Sequence, residues 1–179
     1  MKLNLLILFF FLSFGMTSNA KSLVSPIAKK YQVDTINTAR NKKNNRIVEL
    51  TLKGGAKYVG EARLRRPHGV GKATYKNGNV YEGEFSKGKR SGKGKLLYAN
   101  GDRYVGGFEK DSLHGNGKMF YVDGSVFEGS WEYGTRNEFG CMIYSNGDSY
   151  VGCWNGNKRS GKGDYRFSEG ASYEGEWKD

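Results

Sequence analysis

Only 2 histidines, 2 cysteines and 2 prolines occur among the 179 residues, and there is no Asn-x-Ser/Thr sequon. The sequence pattern brings together no Ser, His and Asp or Cys and His set, so neither catalysis nor a cofactor is expected. The missing sequon leaves no glycosylation signal. A long hydrophobic run is missing too. The one apolar stretch, residues 5–16, is about 12 residues long, and roughly 20 are needed to cross a bilayer. Lys2 before it and Ser18-Asn19-Ala20 after it give the layout of a cleaved signal peptide over 1–20. The expected location is therefore extracytoplasmic, secreted or periplasmic, with no transmembrane segment after cleavage. No cysteine lies near the cut, so a lipoprotein anchor has no attachment point.

What the chain does have is positive charge, glycine and aromatic rings. The formal net charge is +11, with 27 Gly, 12 Tyr, 10 Phe and 3 Trp. Export argues against nucleic acid as the counter-charge and for an acidic protein, anionic lipid or surface polysaccharide. So much glycine disfavours a thick two-layer core, and so many aromatics disfavour disorder. A thin β structure satisfies both.

The aromatics are periodic. Tyr58, Tyr81, Tyr104, Phe127, Tyr150 and Tyr173 follow one another at a step of 23 residues without insertion. Glycine stands two residues after each of them. Phe85, Phe108, Trp131, Trp154 and Trp177 stand four after, with Ala62 the exception. Tyr81-Glu82-Gly83-Glu84-Phe85, Gly92-Lys93-Gly94 and Tyr98-Ala99-Asn100-Gly101 together resemble the MORN repeat. The resemblance covers 58–179 as five full units and a half unit. It departs locally at Ala62, at Glu138 in place of glycine, and at Glu169-Gly170 in place of Asn-Gly. Residues 47–52 look like the tail of a degenerate unit, which puts the repeat domain at 47–179. Residues 21–46 form a separate basic segment that matches nothing.

Each unit reads as two strands, such as 81–85 and 95–98, with a loop over 86–91 and a hairpin turn at Asn100-Gly101. Repetition predicts an all-β, single-layer, up-and-down antiparallel sheet of roughly 12 strands. Strand alternation puts Tyr81, Phe85, Tyr104, Phe108, Trp131, Tyr150, Trp154 and Trp177 on one aromatic face, either as core or as a stacking groove. A turn loop with an odd number of residues, which a type I turn plus a G1 bulge provides, adds Tyr75, Tyr98, Tyr121 and Tyr144 to that face. Leu97, Phe120 and Ile143, with Val105 and Val151, fall on the other face as an apolar stripe. Such a stripe calls for a cover, from residues 21–46 or from a partner.

Arg63, Arg65, Arg66, Lys87, Lys89, Arg90, Lys93, Lys158, Arg159 and Lys162 fall in the same loop of different units. They are expected to line one long edge, as solvated charge or as an anionic-surface binder. His68 and His114 each precede a loop glycine and lie two units apart, about 19 Å by strand spacing, so they hold no common metal. Residues 156–162 approach a phosphate-binding loop, but Gly163 replaces the magnesium-binding hydroxyl and the segment lies within a hairpin. The leading function is thus a non-enzymatic protein-interaction or envelope-scaffold module. The alternative is a peripheral binder of anionic lipid or polysaccharide.

Cys141 and Cys153 remain. With Tyr144 opposite Tyr150 across the Asn146-Gly147 turn, counting back sets the two cysteines opposite each other, within disulfide reach. The same count pairs Lys72 with Glu84 in the first complete hairpin. An even-numbered turn would send the cysteines to opposite faces.

Overall fold

Alternation of apolar and polar residues, broken by paired turn residues, builds one antiparallel sheet. The computed structural model describes residues 47–178. Its strands are β1 (Ile47–Thr51), β2 (Lys57–Arg63), β3 (Arg66–Thr74), β4 (Val80–Ser86), β5 (Lys89–Leu97) and β6 (Arg103–Glu109). They continue as β7 (Ser112–Phe120), β8 (Val126–Glu132), β9 (Thr135–Ile143), β10 (Ser149–Asn155), β11 (Lys158–Arg166) and β12 (Ser172–Trp177). Each strand pairs with its sequence neighbours in an open 12-stranded meander, as the repeat predicts. The expectations for residues 1–46 lie outside the described residues.

Two kinds of turn alternate. Thr74 pairs with Val80, and Tyr75 N–H donates to the Asn79 carbonyl at 2.9 Å, which leaves the three-residue loop Lys76-Asn77-Gly78. This is the predicted odd-numbered turn. It keeps Tyr75, Tyr98, Tyr121 and Tyr144 on the aromatic face, where they pack against the core. The other turn is shorter than expected. The loop read over 86–91 is only Lys87-Gly88, because Ser86 pairs with Lys89. Lys87 and Gly88 both have positive φ, 53° and 86°, so the turn is of the I′ type, whose twist matches a right-twisted hairpin. The strands absorb the remaining loop residues.

A bulge follows each short turn. Glu84 of β4 faces three residues of β5, 91–93, between the pairs Gly83↔Gly94 and Phe85↔Arg90. The middle residue is left-handed: Gly69, Gly92, Gly115 and Gly161 have φ between 59° and 72°. Glu138 holds the same place at φ 56°, where a Cβ is disfavoured.

The core is a single layer of interlocked rings. Tyr81 contacts Phe85 and Phe108 edge-on at centroid distances of 5.0 and 4.9 Å. Tyr104, Phe127 and Tyr150 repeat the contact along the sheet up to Trp177. Such edge-to-face pairs contribute about 0.5–1.5 kcal/mol each beyond their buried area. Tyr81 O–H donates to the Glu84 carbonyl at 2.9 Å, and Trp131 Nε1–H to the Gly117 carbonyl at 3.2 Å, so the polar tips are satisfied. Units are also stapled at the long turns. Asn79 Oδ1, Asp102 Oδ1, Ser125 Oγ and Asp148 Oδ1 each accept a backbone N–H from the next unit, at 2.8–3.0 Å. The Tyr165 hydroxyl and then the Ser168 N–H hold the Asp148 carboxyl below its ordinary pKa.

Candidate functional site

The aromatic belt is core. Tyr81, Tyr104 and Tyr150 are fully buried and Phe85, Phe108, Trp131 and Trp154 nearly so, with Trp177 half-buried at the sheet end. A partner approaching this face meets what lies above the rings, and that is a row of arginines. Arg90, Arg136 and Arg159 are each the second residue of the strand after a short turn, on β5, β9 and β11. Register places them opposite Phe85, Trp131 and Trp154, hence on the aromatic face. Arg90 lies over Tyr75, Tyr81 and Phe108 at 5.5–5.9 Å from the ring centroids. Arg136 lies 4.5 Å from Trp154, and Arg159 lies 4.1 Å from Trp177. A guanidinium over a ring is held by the ring quadrupole; Arg90 is also ion-paired with Asp111, and Arg136 donates to the Asn157 carbonyl at 3.0 Å.

Most of the expected basic residues lie at or beside the short turns, and there they point to both faces of the sheet. Arg90 and Arg159 sit on the aromatic face, Arg65 and Lys87 occupy turn tips, and Arg66 follows the first tip. Arg63, Lys89, Lys93, Lys158 and Lys162 alternate onto the opposite face. The cause is the short turn: residues read as loop are strand, and a strand distributes its side chains over two faces. Arg136 was missed by the sequence reading, although its step of 46 from Arg90 and 23 from Arg159 marks it as the same position.

The cysteine pairing is corrected. Tyr144 N–H donates to Asp148 O, so the turn is Ser145-Asn146-Gly147, and Tyr150 faces Met142, not Tyr144. Cys141 therefore pairs with Val151 and Cys153 with Phe139, and both thiols are free. Burial, with Glu128 next, pushes the Cys141 thiol up to about 11. The same two-residue shift pairs Lys72 with Glu82, at 2.8 Å, in place of Glu84. Lys118 and Glu128 repeat that ion pair at 2.8 Å.

His68 and His114 lie on β3 and β7 and precede left-handed Gly69 and Gly115. His114 Nε2 is 3.4 Å from Glu109 Oε2. Gly156-Asn157 is the short turn between β10 and β11, so the phosphate-loop-like segment is a hairpin tip. On the opposite face Phe120, Val126 and Ile143 are cross-strand neighbours, but Arg103 stands between Leu97 and Phe120 and lies 4.1 Å over the Phe120 ring, so the expected stripe is interrupted there; Leu97 and Ile143 are exposed.

An open sheet of repeated hairpins with its rings turned into a core is the architecture of a repeat module. A family model described as MORN repeat matches in consecutive units at 66–80, 81–103, 104–126, 127–149, 150–172 and 173–179. The chain belongs to the MORN repeat family, and is accordingly a repeat protein of a type used for protein or membrane interaction. No curated protein matches it. Among solved structures, it is similar to the SAS-4 (dCPAP) TCP domain of Drosophila melanogaster, solved in complex with a proline-rich motif of Ana2 (dSTIL). The identity there is 12%, with a TM-score of 0.41, covering 79% of this chain and 85% of that one.

Proposed function

We propose that the chain is an exported, non-enzymatic module that binds an acidic protein, as part of an envelope scaffold, through the arginine row of its aromatic face. The observation that carries this reading is the seating of Arg90, Arg136 and Arg159 on the buried rings of Tyr81, Trp154 and Tyr150. Rings and arginines together are the residue types that dominate protein interfaces. Strand spacing sets Arg136 about 19 Å from Arg90 and Arg159 about 10 Å farther on, so the matching surface carries carboxylates at that spacing. Among the described residues, Glu82 and Glu128 are cross-strand ion-pair partners of Lys72 and Lys118.

One observation favours the second reading, peripheral binding to anionic lipid or polysaccharide. Leu64 stands 88% exposed at a hairpin tip between Arg63, Arg65 and Arg66. Cations near an acidic membrane contribute about 1 kcal/mol each, and an exposed leucine adds insertion. The two readings separate on affinity capture from envelopes alongside sedimentation with phosphatidylglycerol vesicles. One stoichiometric acidic protein, lost when Arg136 and Arg159 become Gln, supports the first. Salt-sensitive sedimentation abolished by Leu64→Ser with Arg65→Ala, without such a protein, supports the second and overturns the first.

A further inference from the structure

The three arginines of the row are not equivalent. Arg90 is ion-paired with Asp111 through Nε at 3.4 Å, and Arg136 donates from Nη2 to the Asn157 carbonyl at 3.0 Å. Arg159 is partly exposed, and its guanidinium has no hydrogen-bond or ion-pair acceptor among the described residues. It rests on rings alone, 4.1 Å from the Trp177 centroid, 5.2 Å from Tyr165 and 5.6 Å from Tyr150. The carboxylate beside Tyr165 is already engaged. Asp148 accepts from the Tyr165 hydroxyl at 2.7 Å, from Asn146 Nδ2 at 3.0 Å and from the Ser168 N–H at 2.8 Å. Glu174 and Glu176 of β12 pair in register with Asp164 and Lys162 on the opposite face. Arg159 is thus the cation of the row that the chain does not neutralise.

The surface around it differs as well. The residues that match Tyr165 in the preceding units are Ala73, Leu96, Met119 and Met142, all buried. Tyr165 is only half-buried, and its bond to Asp148 fixes the ring. Phe167 packs on Tyr165 at 4.8 Å and is 47% exposed, and Tyr144 meets Tyr165 at 5.9 Å. A guanidinium without an acceptor takes a carboxylate through two parallel N–H···O bonds. An exposed ring beside it takes a second ring, edge-on or offset. Tyrosine, tryptophan and arginine in contact are the side chains that dominate binding energy at protein interfaces.

We infer that Arg159, Tyr165 and Phe167 form the anchor point of the arginine-bearing face, seating a carboxylate of a protein partner with an aromatic side chain next to it. The inference rests on the protein-binding reading and says which part of the row recognises the partner.

Fluorescence anisotropy of the full chain tests it with labelled Asp-Glu-Phe-Glu-Asp, its amide counterpart Asn-Gln-Phe-Gln-Asn, and Asp-Glu-Ala-Glu-Asp. The acidic Phe peptide is expected to bind at least about ten-fold tighter than either counterpart. Arg159→Gln should erase the preference for the acidic peptide and Phe167→Ser the preference for Phe, at unchanged melting temperatures. Arg90→Gln, at an arginine already paired, should shift neither preference by more than about two-fold. Phe167 is half-exposed, so Phe167→Ser decides the matter should Arg159→Gln fail to fold. No binding of the acidic Phe peptide, equal binding of the three, preferences that survive the variants, or an equal loss in Arg90→Gln overturns the inference. Should Arg159→Gln lose binding to phosphatidylglycerol vesicles and show no peptide preference to lose, the site belongs to lipid and the inference fails. If Arg159→Gln with Phe167→Ser captures the stoichiometric envelope protein as well as the native chain does, the anchor assignment fails while the protein-binding reading stands.

Discussion

The ring of Tyr81 covers Gly94 on the neighbouring strand so closely that a Cβ at Gly94 would lie 2.4 Å from the Tyr81 hydroxyl oxygen and 2.5 Å from a ring carbon. The ring is wedged by Phe85 and Phe108 and cannot retreat. Gly94→Ala is therefore expected to destabilise the protein by about 3 kcal/mol, at the upper end of overpacking costs. Chemical denaturation checks it, and a loss below about 1 kcal/mol would show that the belt is loosely packed.

Glu138 stands where the other units have a left-handed glycine, so Glu138→Gly removes strain and is expected to stabilise by about 0.5–1 kcal/mol. The mirror experiment is Gly115→Ala, where nothing lies within 4 Å of the added Cβ and only the backbone conformation, φ 67°, is taxed. A loss of about 1 kcal/mol is expected there. Melting temperatures of the two variants should move in opposite directions.

The thiols should differ in reactivity. Cys153 is exposed, whereas Cys141 is half-buried with its thiol raised to about 11, so at neutral pH almost none of it is thiolate. Alkylation of the native protein, followed by mass spectrometry, should label Cys153 first and Cys141 only on unfolding. A native protein that resists alkylation at both sites until reduced would restore the disulfide that the register argues against.

High pH should unfold the sheet. Burial raises the hydroxyls of Tyr58 and Tyr150 to about 12 from 10.0, and raises those of Tyr81 and Tyr104 further. The folded chain therefore keeps protons that the unfolded chain loses. The stability tied to these groups is complete below pH 10 and is lost as pH rises from 10 toward 12. Melting temperature against pH should fall steeply in that window, with tyrosinate absorbance lagging until unfolding. A midpoint that stays constant through pH 11 would contradict the burial of these hydroxyls.

Much of this was legible because one residue class repeats without insertion. The step from Tyr58 to Tyr173 sets the strand number, and alternation around each tyrosine sets the faces of Phe85 and Leu97. Turn length was harder to read. Asn146-Gly147 marks a turn, but not that Asp148 pairs back to Tyr144, and that detail moved Cys153 two places from Cys141. Ser86 and Lys89 look like loop residues because the chemistry of a two-residue turn lies in positive φ at Lys87 and Gly88, which lysine does not announce. The hydrogen bonds from Arg90 N–H to Asp111 and from Arg136 N–H to Asn157 were open to reading as a spacing of 21, once the arginines are known to share a face.

The central claim is that a protein partner meets the arginine-bearing face, and side-chain hydroxyl-radical footprinting of the chain, alone and with its captured partner, tests it most directly. Tyr75 and Tyr165, which lie under Arg90 and Arg159, should become protected, while Leu97, Phe120 and Ile143 on the other face stay reactive. Protection of Leu97, Phe120 and Ile143 with the tyrosines unchanged would place the partner on the apolar stripe and contradict the account.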